Sequence, residues 1–125
     1  VGAVIIGLAA GAVCYTSAVW MKRAFGYDDS LDAWGVHGVG GALGAILTGA
    51  FASSAINRNG HGWLIDGNAH QMLIQLFDVL AVFFYCAIVT FIILKGVDMV
   101  IGLRVSREVE IEGLDINLHG ETVHG

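Results

Sequence analysis

The sequence predicts an all-α membrane protein with three transmembrane helices and a hydrophilic tail. Hydrophobic residues make up 56% of its 125 residues, and charged residues only 14%, where soluble domains carry about a quarter. The few charges are clustered between long uncharged stretches. This pattern is typical of apolar spans of about 20 residues joined by polar loops.

The first helix is predicted over residues 1–24. Residues 1–21 carry no formal charge, and Lys22 and Arg23 then close the segment. The chain starts without Met or a basic leader, which does not fit a signal peptide. We therefore expect it to be the C-terminal piece of a longer membrane protein.

The second helix is predicted over residues 33–56 and is closed by Arg58. Small residues recur in it at four-residue spacing, as in Gly40 with Gly44 and Gly41 with Ala45. Such faces let helices approach closely inside a bilayer, so this helix is expected to have close neighbours.

The third helix is predicted over residues 70–103. Its uncharged part is residues 79–94, with Asp78 before it and Lys95 and Asp98 after it. The whole segment would be about 50 Å long as a helix, which exceeds the thickness of a bilayer core. We expect a tilted helix whose charged residues lie near the two membrane surfaces.

Residues 1–103 therefore form the predicted transmembrane region, and residues 104–125 a separate tail. With three spans, the tail shares a side with Lys22 and Arg23, and only Arg58 lies opposite. The positive-inside rule then places the tail in the cytoplasm of a multi-pass cell-membrane protein. The net charge is −5, and the six basic residues form no patch that could bind nucleic acid.

No cofactor or metal is predicted. The two cysteines lie in apolar runs without a ligand-like spacing. In the tail, His119 and His124 alone are too few for a metal site.

His37 is the only titratable side chain between Asp32 and Arg58. An ionisable group at membrane depth is a functional hypothesis by default, and desolvation favours its neutral form, which can both donate and accept a hydrogen bond. The alternative is a packing histidine bonded to a backbone carbonyl. The carboxylates just before it, Asp28, Asp29 and Asp32, are expected to stabilise or cap the helix start.

Three stretches together resemble one family. DDSLDAWGVHGVGGALGAILTGAFA resembles the signature of the ammonium transporter family around its second pore histidine, HQMLIQL resembles the start of its last helix, and GLRVSREVEIEGLDINLHGE resembles its C-terminal region. The likeness spans nearly the whole chain, in the family's order.

The resemblance implies an eleven-helix protomer, of which this chain holds the last three helices and the tail, in a homotrimer with one hydrophobic pore per protomer. Ammonium would lose its proton outside, and ammonia would pass two paired histidines, of which His37 matches the second. Ala33 matches a pore-lining small position, and Asp32 an aspartate that supports the helix start. The fragment alone is not expected to conduct.

For the tail, the resemblance implies a regulatory segment that packs on the neighbouring protomer and lies where trimeric regulators of the PII signal-protein family dock. The matching residues are Gly113, Leu114, Asp115, His119, Gly120 and Glu121. The alternative is a solvated acidic extension.

Two other classes of function remain open. A proton-coupled transporter of another kind would use Asp78 or Asp98 as its coupling carboxylate, but both lie near the ends of the third helix. A membrane enzyme would use His37 as a base, but the chain offers no nucleophile or metal constellation beside it. Transport of ammonium, rather than catalysis, is the prediction that the sequence favours.

Overall fold

The computed structural model describes residues 1–121, which are helical and contain no β-strand. Contacts divide the chain into two compact units, Val1–Phe83 and a second that begins at Phe84. His124, which was considered with His119 for a metal site in the tail, lies outside the described residues. We describe the two units separately.

Helix α1 covers Gly2–Phe25, one residue from each predicted bound. Its residues Ser17–Met21 form a π-helical turn, a wider turn that often occurs at functional sites. Gly26 ends the helix with a left-handed backbone, φ +63°, a conformation that glycine adopts without steric strain.

Helix α2 covers residues 34–51 and starts with a second π-helical turn, Trp34–Gly38, before the α-helical Val39–Phe51. The predicted end at residue 56 is wrong, because Ala52 leaves the helical conformation with ψ 148°. The carbonyl of Ala52 accepts a hydrogen bond of 3.1 Å from the Gly62 N–H instead, so the following loop determines the helix end.

Helices α1 and α2 pack backbone to backbone, as their small residues predict. A Cβ atom on Gly35 would lie 2.9 Å from both Cα and N of Ala18, and one on Gly40 would lie 2.6 Å from Cys14 Sγ. The close backbone contact, between Gly35 and Ala18, therefore joins the π-helical turns of the two helices. Among the described residues, Ala50 is the one hydrophobic residue that is buried.

The loop after α2 contains one short helix, α3 (Trp63–Asp66), which ends at Gly67 with φ +76°. Helix α4 then covers His70–Val100, starting at the predicted residue. It ends three residues before the predicted residue 103, because Gly102 has φ +78° and the Leu103 N–H donates to the Asp98 carboxylate at 3.3 Å.

No residue of α4 is buried, although the helix is apolar on all sides. A helix of this kind is stable only where lipid or other helices cover it. Of the described helices, α1 and α4 are long and apolar enough to cross a membrane. Helix α2, with its 18 residues, is about 27 Å long, close to the thickness of a bilayer core.

The tail forms two short elements, α5 (Arg107–Glu112) and the π-helical turn α6 (Asp115–His119). Ser106 caps α5 by accepting a hydrogen bond from the Val109 N–H. Gly113, with φ +107°, turns the chain between the two elements.

Candidate functional site

The start of α2 is held by Asp29, one of the three predicted carboxylates. Its two oxygens accept hydrogen bonds of 2.9 Å from the N–H groups of Ala33 and Trp34. Free N–H groups at a helix start need such an acceptor, and the negative charge also complements the helix dipole. Asp28, by contrast, is exposed and takes no part in the cap.

Asp32 has a different role from the capping aspartate. It is the one described non-glycine residue with a left-handed backbone, φ 53°, a conformation that Asp tolerates better than most residues. Its carbonyl accepts from the Val36 N–H at 2.9 Å. Its carboxylate accepts a hydrogen bond of 2.7 Å from Lys22 Nζ.

Lys22 connects the end of α1 to this turn. Its ammonium group donates both to the Asp32 carboxylate and to the backbone carbonyl of Asp29. The lysine side chain is 29% exposed and that of Asp32 is 42% exposed, so water only partly reaches the ion pair. The sequence had indicated Lys22 only as a charge that closes the first span.

His37 lies in the π-helical turn that follows, and its side chain is exposed in this chain. Among the described residues, no group makes a hydrogen bond with its imidazole. Gly41 and Gly44, one and two turns further on, have no atom within 4 Å of where a Cβ would lie. His37 and these two glycines therefore share a face of α2 that this chain leaves uncovered.

Other residues of α2 contact side chains of the chain. A Cβ on Gly38 would lie 2.8 Å from Cε3 of Trp34, and the Trp34 ring meets the edge of Phe83 with centroids 6.1 Å apart. Further along, a Cβ on Gly49 would lie 2.7 Å from Cγ of Gln75. The contacts of α2 with α1 and α4 are thus made by residues other than His37, Gly41 and Gly44.

The other end of α2 is held by Asp66. Its carboxylate accepts from the N–H of Ser54 at 2.8 Å and from the hydroxyl of Ser54 at 3.0 Å. These bonds, the backbone N–H first, lower the pKa of the Asp66 carboxyl. No sequence motif indicated this pair, since its members are 12 residues apart.

The predicted tail residues lie in one compact turn. Gly113 precedes α6 and Gly120 follows it with φ +66°, and the Glu121 N–H donates to the Asp115 carbonyl at 3.0 Å. Leu114 is about half exposed, and His119 is the last residue of α6. Hydrogen bonds to the Glu108 carboxylate, from its own N–H and from the Ser106 hydroxyl, lower the pKa of Glu108.

Of the two acids considered for proton coupling, Asp98 has a hydrogen-bond partner in the described structure. Asp98 accepts the hydrogen bond from Leu103 that closes α4, so it has a structural use. Within residues 1–121, no group of three or more histidine, cysteine or acidic residues could hold a metal ion.

The chain has two long apolar helices that are almost entirely exposed, and polar side chains that bond at the helix ends, which indicates a membrane protein. It belongs to the Ammonium Transporter Family, whose sequence model matches residues 1–124. The chain is 42% identical to the ammonium transporter of Bacillus subtilis and covers 97% of its own length and 30% of that protein. It is 46% identical to the ammonium transporter of Aquifex aeolicus, over 99% of this chain and 29% of that protein. It is 41% identical to ammonium transporter Amt1 of Archaeoglobus fulgidus, over 98% of this chain and 31% of that protein. The chain thus spans about 30% of these relatives.

Proposed function

We propose that this chain is the pore-completing C-terminal part of an ammonium transporter, in which His37 is the second histidine of a pair that conducts ammonia. The observation that carries the proposal is the position of His37. It is the one titratable side chain of α2, it lies on the uncovered glycine face, and no described residue holds its imidazole. Its ring nitrogens are therefore available, within this proposal, to the other histidine of the pair and to ammonia.

The chemistry of a neutral imidazole suits this role. It offers one hydrogen-bond donor and one acceptor, which can accompany ammonia through an apolar passage without binding it as an ion. A hydrated potassium ion would lose its water in such a passage without compensation. Selectivity then comes from desolvation and needs no charged filter. Ala33, at the start of α2, would contribute a small apolar wall to the same passage.

The proposed architecture is the one that the resemblance to the family implies. Three helices, α1, α2 and α4, are the last three of eleven in a protomer, and the exposed apolar surface of α4 is covered by lipid and by the preceding helices. Three protomers form a trimer with one pore each. The fragment alone does not conduct, because the first histidine and the outer ammonium site belong to the preceding helices.

The tail is proposed as the cytoplasmic regulatory segment that packs on the neighbouring protomer, beside the docking face of a PII-family signal protein. The folded turn of the tail supports this role over the alternative, a solvated acidic extension. The apolar side chains of Ile111 and Leu118 are more than half exposed, and that of Leu114 is about half exposed. Exposed apolar side chains that lie close together often mark a surface that binds another protein.

The test is the ammonium-evoked current of the full-length transporter in liposomes on a solid-supported membrane. We expect His37→Ala to abolish the current or to remove selectivity for ammonium over potassium. His70→Ala is the matched control, since His70 is an exposed histidine at the start of α4. Unchanged current and selectivity in His37→Ala would show that His37 is a packing residue and that the pore assignment is wrong.

A further inference from the structure

The connection between α1 and α2 contains an ion pair that neither the charge pattern nor the proposed pore accounts for. One ammonium group, that of Lys22, bonds two different parts of the turn before α2, the Asp29 carbonyl and the Asp32 carboxylate. Asp29 in turn supplies both capping oxygens of the helix. Lys22 is therefore bonded both to the residue that caps α2 and to the residue with the left-handed backbone.

This arrangement bears on the position of His37 through a short, continuous path. The Asp32 carbonyl accepts from the Val36 N–H, the residue directly before His37. The turn that contains both residues is π-helical, so its hydrogen-bond register is set by where the helix starts. If the Asp29–Asp32 turn relaxes, the capping bonds and the Asp32–Val36 bond change together.

The ion pair holds the side chain of a residue, Asp32, whose backbone is left-handed. A non-glycine residue in this conformation needs surroundings that hold it, although Asp tolerates it better than most residues do. In the described structure the group that bonds the Asp32 carboxylate is Lys22. Lys22 also lies in the last turn of α1, where the helix dipole favours a cation.

We infer that Lys22 is a positioning residue for His37, acting through Asp29 and Asp32 to hold the first turn of α2 in the register that presents the imidazole on the open face. The inference rests on the proposed function of His37 as a pore residue. It assigns to the loop between α1 and α2 a role in transport that is distinct from the interaction of the tail with partners.

The matched variants are Lys22→Met and Arg23→Met in the full-length transporter. Both remove one cation from the same end of α1, so any effect on membrane topology is shared. Arg23 is exposed and makes no ion pair among the described residues. We expect Lys22→Met to lower the ammonium-evoked current per trimer by about tenfold or more, as small misplacements of a working group do, and Arg23→Met to leave it within twofold.

Three further variants separate positioning from general stability. Lys22→Arg keeps a cation that can reach the same two oxygens, and it should restore at least half of the current. Asp32→Asn keeps a residue that tolerates the left-handed backbone but removes the charge, so it should reproduce the loss even if Lys22→Met fails to fold. The double variant, Lys22→Met with Asp32→Asn, should be no worse than either single variant, because paired residues act as one unit.

A readout independent of transport is the ¹⁵N chemical shift of the His37 imidazole in histidine-labelled protein. It should move in Lys22→Met and stay unchanged in Arg23→Met. Equal currents in these two variants, alongside a lost current in His37→Ala, would overturn the inference and leave the proposed function intact. An unchanged current in His37→Ala would overturn the proposed function instead. In that case the inferred coupling is judged by the chemical shift alone, and an unmoved signal refutes it.

Discussion

Gly62 gives the sharpest test of the packing at the end of α2. A Cβ on this residue would lie 2.7 Å from N of Ala52 and 2.9 Å from O of Ala50, and closer still to O of Ala52. All three are backbone atoms at the end of the helix, so no side chain can move aside. The φ of Gly62 is −83°, which any residue adopts, and the demand for glycine is therefore purely steric.

The size of the effect follows from these contacts. Ordinary Cβ contacts begin at 3.4 Å, so the loop must move away by more than half an ångström. Overpacking of this kind costs about 1–3 kcal/mol. The movement also lengthens the 3.1 Å bond from Gly62 N–H to Ala52 O, for which a loss of about 1 kcal/mol is typical. We expect Gly62→Ala to lower the free energy of local opening by about 2–4 kcal/mol.

The assay is amide hydrogen exchange of residues 52–69, measured by mass spectrometry on the full-length protein in lipid nanodiscs. A loss of 2–4 kcal/mol raises the exchange rate of locally opening amides by about 30- to 700-fold. Gly60→Ala is the control in the same loop, because a Cβ there meets its nearest atom, O of Asn57, at 3.4 Å. If the two variants exchange at similar rates, the steric reasoning is wrong.

Two other predictions concern the loop carboxylate and the helix contact. Because hydrogen bonds from Ser54 lower the pKa of Asp66 in the folded state, its stabilising contribution is complete above the unfolded value of 3.8 and is lost as pH falls through the lower folded value. The hydrogen-exchange protection factor of the Ser54 amide should thus be constant from pH 7 to about pH 5 and fall in more acidic buffer. In Asp66→Asn, the same amide should be poorly protected at every pH. Equal protection of this amide in the two proteins would contradict the prediction. Gly35→Ala should destabilise the transporter by about 1–3 kcal/mol, because its Cβ meets the backbone of Ala18. Gly11→Ala on α1, where a Cβ meets nothing within 4 Å, should be neutral or slightly stabilising, and thermal unfolding in detergent distinguishes the two; matching transition temperatures would refute the close approach.

The helices themselves could be predicted from the sequence, because their signals are local. Runs of uncharged residues indicated α1 and α4, and α4 begins at His70, where its start was predicted approximately. Lys22 and Arg23 marked the end of α1 to within one residue. Charge counting failed for the end of α2, where the chain turns six residues before Arg58. Hydrogen bonds between residues about ten apart determine that end, and they leave no trace in an apolar run.

The support of the candidate site was only half visible in the sequence. A cluster of aspartates before an apolar helix predicts a cap, and the structure shows one at Asp29. The cluster does not indicate which aspartate caps, and neither the left-handed backbone of Asp32 nor its ion pair with Lys22, a residue of another helix, has a sequence signal. The π-helical turns at Ser17–Met21 and Trp34–Gly38 likewise follow from the contact between two helices, since neither segment has a sequence signal of its own.

The distribution of polar groups along α2 explains why His37 stands out. Both ends of the helix are fastened by carboxylates, Asp29 and Asp66, in loops where water reduces the energetic cost of a charge. Between them the helix is held by glycines that meet α1 and α4, which requires no polar side chain. The described fold therefore uses no hydrogen bond from the one titratable group of α2. Because an unpaired polar group at membrane depth costs several kcal/mol of desolvation, the proposed function requires that ammonia or the preceding helices supply the hydrogen-bond partner that α1 and α4 do not.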